Sequence, residues 1–217
     1  MRLSSLAALI GLLLANVIPI VGVFAFGWQA LDLLLLYWLE AAVVGVFTVV
    51  RVLLAMGDPT DTGLGALFGF DRYTGPGAGT SNARFGAVAL FCFQYGPLWM
   101  IHGAALFLLP GFAFEPLGWD PLAVLPTLLP AVGAMALSHG LSFGLGFLAG
   151  GVWERTAPVA QVFAVFPRLL VLHYAVLIGG FGAVTLGSPL FALVVLVVLK
   201  TVADVLVEYA DPLLRAA

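Results

Sequence analysis

Six long, mostly apolar runs dominate the sequence, and they constrain its fold more than any motif does. They cover residues 3–26, 29–54, 85–109, 121–149, 167–185 and 189–209. Each is close to or above the roughly 20 residues that an α-helix needs to cross a bilayer. Only 9% of the chain is charged, against roughly 25% in a soluble domain. The sequence therefore predicts an all-α polytopic membrane helix bundle with six transmembrane helices.

The basic residues predict how this bundle is oriented. If the N-terminus is cytoplasmic, the external connections near 27, at 111–120 and at 187–188 contain no Lys or Arg. Because short cytoplasmic connections carry an excess of these residues, both termini are predicted to be cytoplasmic. The first apolar run exceeds the roughly 7–15 residues of a signal-peptide core, so it counts as a span. The prediction is a single transmembrane domain, residues 1–217, in a prokaryotic plasma membrane.

Charge and composition narrow the expected partners. A net charge of -3 offers no basic surface for nucleic acid, so the lipid bilayer is the predicted partner. Because the chain is small, a transport function would favour a homodimer. The connection 57–84 is rich in Gly, Pro, Thr and Asp, which predicts a mobile cytoplasmic loop. The segment 152–166 is predicted to lie along the cytoplasmic interface.

A few ionisable side chains interrupt the apolar runs. A charge at the centre of a bilayer costs at least about 2.5–3.5 kcal/mol, so these side chains are predicted to face the bundle interior and meet one another. Depths follow if each span is centred on the bilayer with a rise of about 1.5 Å per residue. Glu40 and Lys200 are then predicted to lie at the midplane. His173 lies roughly 3 Å from the midplane on the cytoplasmic side, and His139 and Asp204 lie further toward the cytoplasm. His102 lies roughly 7 Å from the midplane on the external side.

Four short motifs in these runs resemble one known family. They are YWLE at 37–40, QYG at 94–96 followed by HG at 102–103, a lone His at 173, and KTVAD at 200–204. Over nearly the whole chain, the sequence resembles the prokaryotic and haloarchaeal membrane proteins called domain of unknown function 6498. Gln94 stands where the resemblance implies a His. The family has no established activity, so the resemblance groups these residues without giving them a role.

The first functional hypothesis is a membrane-embedded binding or catalytic site that handles a metal or a proton. Its candidate catalytic residues are Glu40, His102 and His173. Imidazole and carboxylate groups are common ligands of zinc and other transition metals, so these three residues together with Asp204 form a candidate site for a divalent metal. Four further residues are predicted to surround the site: Tyr37, Gln94, Tyr95 and His139.

Two other hypotheses stay open. In the second, the chain is a small transporter or channel in which Glu40, Lys200 and Asp204 form an ion pair or a proton relay. In the third, it is a structural or accessory subunit whose ion pairs only hold the bundle together. Haem between His139 and His173 is a weaker cofactor hypothesis than a divalent metal. The first hypothesis is slightly favoured, because structural polar groups in membranes are usually Ser, Thr and Asn.

Overall fold

The computed structural model describes residues 17–57, 81–113 and 119–166, together with scattered residues between 169 and 199. Across this part of the chain the regular elements are helical and no strand occurs. The helices are α1 (Val17–Phe26), α2 (Ala30–Leu54), α3 (Ser81–Ala113), α4 (Pro121–Leu141) with a π-helical continuation (Ser142–Leu148), α5 (Val152–Arg155) and α6 (Pro158–Ala164). The predicted all-α class is confirmed.

The helix bounds agree best where the apolar runs are longest. The runs 29–54 and 121–149 correspond to α2 and to α4 with its continuation. α3 extends beyond the predicted span 85–109 at both ends, and residues 81–84 are helical rather than part of the predicted loop, because a polar first turn leaves no apolar signal. The rest of that loop, residues 1–16 and most of 167–217 lie outside the described residues.

Side-chain hydrogen bonds join the starts of α2 and α4. Asp32, in the first turn of α2, accepts a hydrogen bond from the Gln29 backbone N–H at 2.7 Å. Its other carboxylate oxygen accepts one from the Trp119 indole N–H, also at 2.7 Å. Asp120 accepts from the Leu122 N–H at 2.9 Å, which satisfies one of the open donors at the start of α4. The bond between Asp32 and Trp119 places the first turns of the two helices side by side.

α2 is the central helix and packs against α3, α4 and α6. Trp38 contacts Trp99, and Ala41 contacts Tyr95, so α3 runs antiparallel to α2. Between these two helices lies a buried cluster of Leu33, Leu34, Tyr37 and Leu106.

α4 runs parallel to α2. Asp32 meets Trp119 near the start of both helices, and the Arg51 guanidinium lies 5.5 Å from the ring centre of Phe147 near their ends. A second buried cluster joins this pair of helices, formed by Leu35, Leu36, Leu128, Ala131 and Met135. Successive long helices therefore alternate in direction, as they must in a chain that crosses a layer back and forth.

α6 inserts between the end of α2 and the start of α3. The backbone N–H groups of Met56 and Gly57 donate to the carbonyls of Trp153 (2.7 Å) and Thr156 (3.1 Å). Val162 has no exposed surface and belongs to a buried cluster with Ala41, Val52, Ala87, Phe91, Tyr95, Val165 and Leu169. The prediction that this segment lies along the membrane interface is wrong for α6, because even its polar Gln161 is buried.

Two of the described helices are long and apolar enough to cross a membrane, Leu31–Leu54 and Pro121–Leu148. The apolar helix Val17–Phe26 is shorter. α3 carries Gln94, Tyr95 and His102 in its middle. By length and composition alone, two such helices give weak support for a membrane protein.

Candidate functional site: two titratable pairs between the helices

Glu40 meets His139 where α2 contacts α4. The distance from His139 Nε2 to Glu40 Oε1 is 3.4 Å, long for a hydrogen bond but within ion-pair range when the imidazole is protonated. Glu40 is buried, whereas the His139 side chain keeps 21% of its surface exposed. His139 was predicted to surround the site or to hold a haem, and the structure makes it a direct partner of the carboxylate.

Tyr95 lies on the α3 side of Glu40. Its hydroxyl donates to the carbonyl of Ala41, the residue after Glu40, at 2.6 Å and is buried. The ring also lies against Gly45, where a Cβ atom would be only 3.2 Å from Tyr95 Cε1. Gly45 therefore lets this aromatic ring approach α2 closely beside the carboxylate.

His102 and His173 form the second pair. His173 Nδ1 lies 3.0 Å from His102 Nε2, and His102 Nδ1 lies 2.7 Å from the Leu98 carbonyl. A carbonyl can only accept, so the hydrogen on His102 belongs on Nδ1 and Nε2 of the neutral ring is an acceptor. His173 Nδ1–H then donates to it. The two rings meet nearly at right angles, with centroids 5.0 Å apart.

This hydrogen bond corrects the depths predicted from the sequence. His102 and His173 were placed roughly 10 Å apart along the bilayer normal, at about 1.5 Å per residue. Side chains 3.0 Å apart lie at nearly the same depth. The prediction fails because it centres every helix on one plane and ignores helix tilt and vertical offset.

The predicted group of Glu40, His102 and His173 thus divides into two pairs. Where side chains are described, no three His, Cys, Asp or Glu residues come together as a metal site. Lys200 and Asp204 lie outside the described residues, so the ion-pair and metal sets that include them stay predictions. Leu199, next to Lys200, packs against the cluster around Tyr37. The two histidines considered for haem have different partners, Glu40 for His139 and His102 for His173.

The region also contains a tryptophan pair to which the sequence analysis gave no functional role. The Trp38 indole N–H donates to the Trp99 carbonyl at 2.9 Å, and the Trp99 indole N–H donates to the Trp38 carbonyl at 3.0 Å. The rings are stacked with centroids 4.4 Å apart and planes at 9°. In the sequence, the feature that could have indicated this contact was Gly103, one turn after Trp99. A small residue does not by itself indicate which side chain packs against it.

The fold and the two pairs define a class: an all-α protein with titratable side chains hydrogen-bonded between its helices. The chain belongs to a family of unknown function, DUF6498, whose pattern it matches over residues 1–217. The resemblance seen in the sequence motifs is thereby confirmed. No curated protein and no solved structure matches the chain. The function therefore has to be argued from the site itself.

Proposed function

We propose that this chain is a six-span plasma-membrane protein, with both termini cytoplasmic, whose buried pairs handle protons inside the bilayer. The strongest support for a membrane location comes from α4. Only 17% of its most apolar window is buried, and Leu122, Leu129, Leu137 and Leu145 are each more than half exposed. An apolar surface of this kind is expected to face lipid or another chain rather than water.

The observation that carries the proton-handling proposal is the His102–His173 hydrogen bond. A bonded imidazole pair can take up a proton at one ring and release it from the other, because each ring has two nitrogens that exchange donor and acceptor roles. Glu40 and His139 are a second acceptor–donor pair of the same kind. Ionisable groups inside membrane bundles are costly and commonly mark ion or proton pathways.

The two pairs lie in series along the bundle. Because α3 is antiparallel to α2 and Trp99 lies opposite Trp38, His102 lies opposite approximately residue 35 of α2. At about 1.5 Å per residue, the His102–His173 pair is roughly 7 Å from Glu40 toward the start of α2. Two titratable pairs at successive depths would serve a short proton relay when water bridges the gap between them.

The test measures proton flux in proteoliposomes that contain a pH-sensitive dye and are driven by a potassium diffusion potential. We expect flux above that of protein-free liposomes, and we expect it to fall to the protein-free level in Glu40→Gln and in His102→Gln. Both substitutions keep the side-chain volume roughly constant while removing the titratable group. Glu154→Gln is the matched control, because Glu154 is exposed and belongs to neither pair.

Wild-type liposomes no more permeable to protons than empty ones would reject proton transport. In that case infrared spectroscopy at several pH values decides whether Glu40 changes its protonation state at all, with Glu40→Gln identifying its carboxyl band. A band that titrates without flux would support a local binding or catalytic role. A band that does not titrate would favour the structural-subunit hypothesis.

A divalent metal is the second candidate, because the same two ring nitrogens lie close enough together to bind one ion after a small reorientation of the rings. Nitrogens at about 2.0–2.1 Å from a tetrahedral zinc lie roughly 3.3 Å apart, only slightly more than the 3.0 Å found between His102 and His173. A zinc ion would need further ligands besides His102 and His173, and Asp204 is the predicted one. Stoichiometric metal in the purified protein that is lost in His102→Gln would support this function over a proton relay.

A further inference from the structure

We infer that Trp38, Trp99 and Gly103 form a clamp between α2 and α3 that positions His102 to bond with His173. Its importance for activity rests on the proposed function, whereas its effect on the geometry of the pair does not. Trp38 and Trp99 would then be positioning residues, which shape the pair without touching the proton.

The clamp is held by reciprocal hydrogen bonds. Each indole N–H donates to the backbone carbonyl of the other tryptophan, at 2.9 and 3.0 Å, and the stacked rings fill the space between. Phe107 meets the Trp38 ring edge-on, with centroids 5.8 Å apart. Sliding α2 past α3, or rotating either helix, would break both bonds and the stack together, so the clamp sets the register of the two helices.

The clamp is adjacent in sequence to the groups that orient His102. Trp99 follows Leu98, whose carbonyl accepts the His102 Nδ1–H at 2.7 Å. Gly103 follows His102, and a Cβ atom at Gly103 would be 2.7 Å from Trp38 Cζ2. The Trp38 ring therefore rests directly on the backbone next to His102, which is possible only because residue 103 has no side chain.

α3 needs such a contact because its own backbone is interrupted just before the clamp. Pro97 has no N–H and cannot donate to the carbonyl one turn earlier, and a proline inside a helix commonly bends it. Because α3 lacks a backbone hydrogen bond at Pro97, its own backbone holds the following half of the helix, which carries His102, less firmly. Trp99 lies two residues after Pro97, and the tryptophan pair ties this half to α2.

The test uses the fact that the chain has only three histidines. Protein labelled with nitrogen-15 in its histidine rings gives three sets of ring signals in NMR, assigned with His102→Gln, His139→Gln and His173→Gln. In Trp38→Phe/Trp99→Phe, which keeps aromatic rings but removes both donors, we expect the signals of the bonded His102–His173 pair to shift toward those of unbonded rings. Each single variant should shift them part of the way.

Trp119→Phe is the matched control. It also removes an indole donor that bonds to α2, but on the α4 side, so the His102 and His173 signals should not move. The His139 signals should stay unchanged in the Trp38→Phe/Trp99→Phe variant. Unchanged His102 and His173 signals in that variant would overturn the inference, as would equal shifts in Trp119→Phe.

Two further measurements keep this outcome distinct from misfolding and from failure of the proposed function. If the double variant does not fold, benzothienylalanine at position 38 keeps the shape of tryptophan and replaces only the N–H with sulfur, and the same partial shift is expected. In proteoliposomes the clamp variant should lower flux several-fold and alter its pH profile. Shifted signals in a protein that carries no flux would uphold the clamp and reject proton transport.

Discussion

Gly103→Ala tests the close approach of Trp38 to α3. The new Cβ atom would lie 2.7 Å from Trp38 Cζ2, 2.8 Å from Cε2 and 2.9 Å from Nε1. Carbon atoms in favourable contact are about 3.5–4.0 Å apart, so the indole would have to retreat by roughly 1 Å. Overpacking of this kind costs about 1–3 kcal/mol, and each hydrogen bond lost adds about 0.5–1.5 kcal/mol. If one bond is lost and Ala gains about 0.5–1 kcal/mol over Gly within a helix, we expect the free energy of unfolding to fall by about 0.5–4 kcal/mol.

The assay is unfolding in mixed detergent micelles, followed by far-UV circular dichroism and tryptophan fluorescence. Gly86→Ala is the control, because it makes the same change on the same helix where a Cβ atom meets nothing within 4 Å. Replacing Gly by Ala in an open helix position is favourable by about 0.5–1 kcal/mol, so this variant should be slightly more stable than the wild type. The penalty at position 103 should shrink when Trp38 is already Phe, which a double-mutant cycle measures. Equal stability of the Gly103→Ala and Gly86→Ala variants would refute the packing of Trp38 on Gly103.

Two smaller predictions use the same unfolding assay. Tyr95→Phe removes the buried hydroxyl that donates to Ala41 and should lower stability by about 0.5–1.5 kcal/mol; a variant as stable as the wild type would show that this bond contributes nothing net. Asp32→Asn weakens the charged acceptor shared by the Gln29 backbone and Trp119 and should lower stability by about 1.5–3 kcal/mol. Quenching of Trp119 by a water-soluble quencher should rise in that variant, and unchanged quenching would argue against the contact.

Within the described residues, the sequence predicted the long helices well because the length of an apolar run is a local property. α2 begins and ends within a residue of its prediction, since Asp32 and Arg51 are the charges nearest its ends. α6 was not foreseen as a buried element, because a seven-residue apolar segment is compatible with either an interface or a core. Whether such a segment lies at an interface or in the core depends on its contacts with α2 and α3, and those contacts join residues far apart in the chain.

The sequence singles out Glu40, His102 and His173 but does not predict how they pair. Burying an ionisable side chain in an apolar helix is costly, so Glu40, His102 and His173 are expected to need partners. Within the described residues, each of them has a histidine partner. Which imidazole meets which acceptor depends on helix offset and tilt, which composition does not encode. His139 and the tryptophan pair were undervalued because aromatic residues and imidazoles on apolar helices also occur as ordinary packing groups.

The Glu40–His139 contact joins residues 99 positions apart, and this separation matters while the protein is being made. Ribosomes add about 5–20 residues per second, so roughly 5–20 s pass between the synthesis of the carboxylate and that of this imidazole partner. If α2 enters the bilayer as soon as it emerges, it does so without His139 and meets an insertion cost of at least about 2.5–3.5 kcal/mol for a central charge. The leucine-rich turns before Glu40 and the Ala- and Val-rich turns after it would then have to hold α2 in the lipid until α4 arrives, which makes the order of helix insertion part of how this site is assembled.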